Sequence, residues 1–293
     1  MPDTKFIAEV SSNHNRDLNR ALKFVDAAAE LGCDAVKFQL FKIDQLFAPE
    51  ILERSADHRA RKKWELPLEF LPELSERAHK KGIEFSCTPF YLDAVQELER
   101  YVDFYKVASY ELLWHDLLKA CAGTGKPLIL STGMSNENEV HAAINALAGL
   151  PTSEITILRC TSAYPTPVEE ANISSLKTLR RSLDSFQKDL DLSFGWSDHT
   201  LSAGVIARAV FEYQAQVVEF HLDLEGEGHE YASKHCWLPR DIEPVIQMIR
   251  DGHAAAGDGR LAPTASEEPD REWRADPRDG LRPLRYIRGG FNG

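Results

Sequence analysis

The chain has 293 residues, enough for one large α/β barrel or two smaller domains, and its 43% hydrophobic and 27% charged content excludes disorder. A formal net charge of -12 argues against a nucleic-acid partner, because such proteins concentrate Lys and Arg, yet it leaves room for a small anion in a local basic pocket. Five cysteines without a CxxC pair suggest no disulfide framework and fit a reducing cytoplasm. The N-terminus MPDTKFIAEV enters a strand pattern almost at once, leaving no room for a leader, and no apolar run approaches membrane-spanning length; a soluble chain is expected.

In chain order, strand-like runs alternate with helical patterns: KFIAEV, AVKFQL, EFSCTP, FYKVAS, PLILST, ITILRC, LSFGWS and VVEFHL. After the first run, Leu18, Ala21, Leu22, Val25 and Ala29 form a helical stripe that Gly32 should end. After the fifth, Val140, Ala143, Ile144 and Leu147 repeat the pattern, and after the eighth, Pro239 opens a helix carrying Ile242, Val245, Ile246 and Ile249. Such a succession predicts a (β/α)8 TIM barrel over residues 1–256. A doubly wound sheet is the runner-up, but no GxGxxG turn follows the first strand.

Two segments break the rhythm. Residues 42–66 make a long, charged connection after the second strand, expected to act as a lid or a subunit contact. Residues 257–293 form an Arg-rich extension with Arg271, Arg274, Arg278, Arg282, Arg285 and Arg288, read as a solvated tail or as an arm that supplies arginines to an anionic substrate.

A barrel places its chemistry at the C-terminal ends of its strands. Those ends carry Glu9 with Asn13 and His14 beyond it, Lys37 and Gln39 on one strand face, Thr88, Lys106 with Ser109 and Glu111, Ser131 and Thr132, Thr161 with Ser162 and Tyr164, and Ser197. Lysines inside apolar runs are informative, because a buried Lys needs a partner. Lys37 could pair with Glu9 or Glu219, and Ser131 or Ser202 could cap the helix that follows; two lysines with a ring of hydroxyls otherwise describe a site for a phosphate and a carboxylate. In LSFGWSDHT and QVVEFHL two successive strands end in His199 and His221, joined by a helix whose stripe is Val205, Ile206, Ala209, Val210 and Tyr213. Parallel strands bring both histidines to one face, where they could bind a divalent metal and leave positions open for substrate.

The motifs IAEVSSNHN, VKFQLFK, CTPF, YKVASYE, LILSTGM, CTSAYPTP, WSDHT and VVEFH resemble, in this order, those of the sialic acid synthase family, from about Lys5 to Gly259. That family condenses phosphoenolpyruvate with an N-acylated hexose to give a nine-carbon 2-keto acid. The resemblance implies that Lys37, Thr88, Lys106, Ser109, Ser131, Ser162 and Ser197 hold the phosphate and carboxylate of phosphoenolpyruvate, and that His199 and His221 bind manganese or magnesium. It makes Glu9 the acid/base and places Glu111 and Tyr164 at the sugar. Lys37, Lys106 and Glu111 are expected to join Glu9 in catalysis, and Asn13, Gln39 and Glu230 to contact substrate. A homodimer is implied.

The chain departs from the family in three places. It ends before the antifreeze-like domain that in well-known members lends an arginine to the neighbouring subunit. GEGHEYASKHCW replaces a Gly-Pro-Asp stretch, with His229 or Glu230 near the expected aspartate, and Ser162 stands where some members have Asn. These changes lie on the sugar side and leave rivals: the same chemistry on a non-acylated aldose, a metal-dependent sugar isomerase or aldolase, or a non-catalytic sugar-acid-binding barrel.

Overall fold

Each of the eight strand-like runs forms a strand in the computed structural model, which describes residues 4–152, 154–188 and 190–290. They are β1 (Lys5–Glu9), β2 (Ala35–Leu40), β3 (Glu84–Pro89), β4 (Tyr105–Val107), β5 (Leu128–Ser131), β6 (Glu154–Arg159), β7 (Asp191–Asp198) and β8 (Val217–His221). All pairings are parallel, in the order β3-β2-β1-β8-β7-β6-β5-β4. The seam between β3 and β4 is joined by a parallel bridge at Ser86 and Phe104, where the Ser86 hydroxyl also donates to the Phe104 carbonyl at 2.8 Å. The result is the expected (β/α)8 barrel, nearly closed. Helices cover the outer face of the sheet, which is why the strands read as nearly continuous apolar runs.

Side-chain alternation builds the barrel interior in layers. Ile7, Ala35, Phe104, Ile129, Leu158 and Val217 form an apolar cluster separate from the core beneath the helices. Two residues further along the same strands stand Glu9, Lys37, Lys106, Ser131, Cys160 and Glu219, so one step of the pleat converts a dry plug into a polar floor. Gly195 belongs to the plug: a Cβ there would lie 2.3 Å from the Val217 carbonyl oxygen and 2.6 Å from Leu158.

The helix after β1, Leu18–Glu30, is capped by Asp17 and buries Ala21, Phe24, Val25 and Ala28. Its apolar face is therefore rotated from the expected stripe, and Leu22 and Ala29 flank the core. Gly32 follows it at φ 76°, a conformation that suits glycine. Ser202 precedes the helix Ala203–Phe211, but its side chain makes no capping hydrogen bond. Nor does Ser131 cap the helix after β5; Asn136 and Glu139 form a capping box there instead. Residues 42–66 fold into short helical segments, Ile43–Leu46, Pro49–Arg54, Ala56–Ala60 and Arg61–Trp64.

The chain divides into two compact units, Met1–His253 and Ala254–Gly293. In the second, the Asp276 carboxylate accepts the backbone N–H groups of Arg278 and Arg285 at 3.0 and 2.8 Å, and Arg288 pairs with Asp279. Its arginines are thus partly engaged within the unit itself. All five cysteines are free and buried, and no helix among the described residues is long and apolar enough to cross a membrane.

Candidate active site

A cavity of about 470 Å³ opens at the C-terminal ends of the strands. Its floor is a buried charge cluster. Lys106 Nζ lies 2.9 Å from Glu219 Oε1, which also accepts the Ser197 hydroxyl at 3.1 Å. Lys37 Nζ pairs with Glu9, stands 3.7 Å from Glu219 Oε2 and donates to Thr88 Oγ1 at 3.2 Å. Glu9 is oriented by the Ser11 N–H, 2.7 Å from its Oε1. Burial pushes the Lys37 ammonium down to about 7 against the pull of Glu219. Burial would raise Glu219, but Lys106 and Lys37 together hold its carboxyl well below the usual range. Keeping paired charges this dry costs several kcal/mol per ion before pairing, so the cluster is poor scaffolding and marks a candidate functional site.

Serine hydroxyls add to the polar character of the site. Ser131 Oγ and Ser162 Oγ are buried and have no hydrogen-bond partner among the described residues. Ser109 Oγ accepts the Gly133 N–H at 3.0 Å and meets Cys160 Sγ at 3.2 Å. A Cβ on Gly133 would fall 2.1 Å from Ser162 Oγ and 2.8 Å from Ser109 Oγ, so glycine lets these hydroxyls converge. Unsatisfied buried donors carry a desolvation penalty that a bound oxyanion would relieve.

Another part of the lining is aromatic and imidazole-rich. His199 Nδ1 donates to the Thr161 carbonyl at 2.8 Å, which fixes the tautomer and leaves Nε2 with its lone pair. The His199 and His221 rings are 5.4 Å apart, so the two strand-end histidines do converge. His221 Nδ1 lies 3.1 Å from Glu230 Oε2. Tyr164 packs 4.3 Å from His199 and 4.9 Å from a third ring, His235. Burial pushes His199 down to about 3, which favours the neutral imidazole that ligates metals, and burial lowers His221 as well against the pull of Glu230. One donor atom each from His221, Glu230, His235 and Cys236 lies within 4.8 Å of the others, and His235 Nδ1 is buried without a partner. This donor set fits a divalent cation.

Of the residues singled out in the sequence, Glu9, Lys37, Gln39, Thr88, Lys106, Ser109, Ser131, Tyr164, Ser197, His199, His221 and Glu230 line the cavity. Three do not. Asn13 is fully buried, its Nδ2 donating to the Leu222 carbonyl and its Oδ1 accepting the Glu230 N–H at 2.8 Å, so it braces the Glu230 turn. Ser162 faces Gly133 rather than the open cavity. Glu111 also stands outside the lining; its Oε2 is buried and unpartnered, and burial pushes the carboxyl up to about 7 against the charge of Lys106.

Sequence reasoning left Glu219, His229, His235, Arg61 and Trp64 outside the proposed site, although all line the cavity. Glu219 could have been found, since it shares a strand face with Val217 and His221. Arg61 stacks on Trp64 at 5.5 Å and on Phe47 at 5.6 Å, has no carboxylate partner among the described residues, and comes from the long β2 connection. The Trp64 indole N–H is buried and has no partner among the described residues.

Fold and site together define a (β/α)8-barrel enzyme whose polar side chains gather at the C-terminal mouth. The chain belongs to the NeuB family, the sialic acid synthases: the family profile matches residues 24–261. It is accordingly a transferase-type enzyme. It is 35% identical over 281 residues to N,N'-diacetyllegionaminic acid synthase of Campylobacter jejuni, covering 92% of this chain and 82% of that protein. It is 34% identical over 267 residues to pseudaminic acid synthase of Helicobacter pylori, covering 87% and 76%. A crystal structure of the N-acetylneuraminic acid (sialic acid) synthetase of Leptospira borgpetersenii in complex with citrate superposes with a TM-score of 0.76 at 27% identity, over 94% of this chain and 93% of that one.

Proposed function

We propose that this enzyme condenses phosphoenolpyruvate with the open-chain aldehyde of an N-acylated hexosamine, releasing phosphate and a 2-keto-3-deoxy sugar acid. The observation that carries the reading is the pair of buried lysines sharing Glu219 beside unpartnered serine hydroxyls. That arrangement suits an anion bearing both a phosphate and a carboxylate. Lys37, Lys106, Thr88, Ser109, Ser131 and Ser197 hold these groups, and Ser162 contributes through its packing on Gly133.

A divalent cation, manganese or magnesium, held by His199 and His221 would supply Lewis-acid polarisation of the aldehyde oxygen. The methylene carbon of phosphoenolpyruvate forms the new bond to the aldehyde carbon, water adds to the phosphate-bearing carbon, and its bond to the phosphate oxygen then breaks. Glu9, whose Oε1 is fixed by Ser11, moves the protons of the water step, and Lys37 and Lys106 stabilise the departing phosphate. Gln39, Tyr164 and Glu230 face the acceptor, and Glu111, whose carboxyl feels the charge of Lys106, assists catalysis from outside the lining. A cytoplasmic homodimer fits the reading.

The test is phosphate release from phosphoenolpyruvate with manganese against a panel of N-acylated hexosamines and plain aldoses, with a chelator control. Release that needs both the metal and an acylated sugar supports the reading. Release with plain aldoses alone moves the acceptor, and failure to bind phosphoenolpyruvate removes the synthase assignment.

A further inference from the structure

We infer that Glu230 and His235 join His199 and His221 around one divalent cation, so that this chain offers it three imidazoles and a carboxylate. The inference rests on the proposed metal role of the two strand-end histidines and extends it to a loop that no strand pattern announces.

The first support is spacing. Glu230 Oε2 stands 3.1 Å from His221 Nδ1 and 3.5 Å from His235 Nε2. Donors on one cation with bonds of about 2.1 Å stand roughly 3.0 to 3.4 Å from their neighbours, so the observed separations need little adjustment. The His235 and His221 rings are 4.6 Å apart, and His199 and His235 are 6.4 Å apart. All four side chains line the same cavity. Cys236, which also lies near, does not line it, and its Sγ takes the Asn13 Nδ2–H at 3.5 Å. It stays outside the set.

The second support is His235 itself. His235 is 4% exposed, its Nδ1 has no partner among the described residues, and its Nε2 meets Glu230 Oε2 at 3.5 Å, so the ring offers either nitrogen to a cation. Such burial of a polar ring is unfavourable unless something binds it.

The third is the way Glu230 is held. Asn13 takes its backbone N–H, Ser11 donates to Oε1, and Asp223 ties down the turn by accepting the N–H groups of Gly226 and Gly228 at 2.7 and 3.2 Å. Arg20 in turn braces Asp223 at 2.8 Å. A Cβ on Gly228 would lie 2.3 Å from Asn13 Oδ1, so the turn is packed to bring Glu230 over the histidines. A braced carboxylate aimed at imidazole nitrogens is the arrangement expected of a ligand set.

The chemical consequence concerns the cation. Three imidazoles and one carboxylate favour zinc, cobalt or manganese over magnesium, which prefers oxygen and retains its water.

The full chain, stripped with a chelator, should be titrated calorimetrically with Mn²⁺, Zn²⁺ and Mg²⁺, and the nitrogen couplings of bound Mn²⁺ counted by electron paramagnetic resonance. Three coupled imidazoles are expected in the parent chain and two in His235→Ala, with Mn²⁺ affinity falling at least about tenfold in His235→Ala and in Glu230→Gln. Where alanine lowers the melting temperature, His235→Asn carries the comparison. Unchanged affinity and coupling count in the His235 variants would overturn the inference while leaving the two-histidine site standing. A parent chain that binds no cation would overturn both. Phosphoenolpyruvate binding to the metal-free chain, measured in parallel, reports on the underlying synthase reading separately.

Discussion

The two walls of the cavity are built on different principles. The wall of Lys37, Lys106, Ser131, Ser197 and Glu219 stands on strands, each residue one pleat above the apolar plug, with positions set by ladder register. The rest of the lining draws Glu230 and His235 from the loop after β8, and Arg61 and Trp64 from the β2 connection, where tertiary hydrogen bonds and packing set position. Under the proposed function the phosphoenolpyruvate seat would belong on the strand-borne side, and acceptor choice on the loop-borne side that can vary without disturbing the sheet.

The largest effect should come from the strand wall. Glu219→Leu strands two buried ammonium groups, and breaking a buried pair in this way costs roughly 3 to 5 kcal/mol. Denaturant unfolding should show that loss, together with near-complete loss of phosphate release; a stable, active variant would show that the lysines do not depend on this carboxylate. Next is Gly133→Ala, whose Cβ would fall among the Ser162 and Ser109 hydroxyls. Its KM for phosphoenolpyruvate should rise about tenfold or more, with acceptor KM little changed. Equal changes in both would mean that the two walls are not separable.

The pH dependence sharpens the same division. Lys37 is pushed down to about 7 in the free chain, so its charge, and with it attraction for the anion, is lost as pH rises through that value. Phosphoenolpyruvate affinity measured from roughly pH 6 to 9 should therefore fall on the alkaline side, and Lys37→Arg, which stays charged, should flatten that limb. A limb that persists in the arginine variant would belong to another group. The smallest effect is expected from Arg61→Ala: about a tenfold or smaller rise in acceptor KM and no change in phosphoenolpyruvate affinity. An effect on phosphoenolpyruvate alone would move Arg61 to the other wall.

The strand wall was legible because a pleated strand repeats every two residues. Lys37 and Gln39 in AVKFQL, or Lys106 in FYKVAS, had to share a face with the residues two places away. Glu219 followed the same rule and was read only as a counter-ion for Lys37. Asn13, Ser162 and Glu111 sat in the right neighbourhoods, but short turns after the strands point side chains in directions that no periodicity encodes. His235 and Arg61 had no signal at all, since each lies in a loop whose path depends on what it packs against.

The alternation of strand and helix, the apolar plug, the polar floor above it and the two histidines at matched strand ends are properties of the sequence, because backbone hydrogen bonding and side-chain alternation act over a few residues. Tertiary structure alone decided that both lysines share Glu219, that Asn13 braces a turn more than two hundred residues away, and that Glu230 and His235 meet the strand-end histidines. Those contacts arise from barrel closure and loop packing, which bring together groups that local sequence leaves independent.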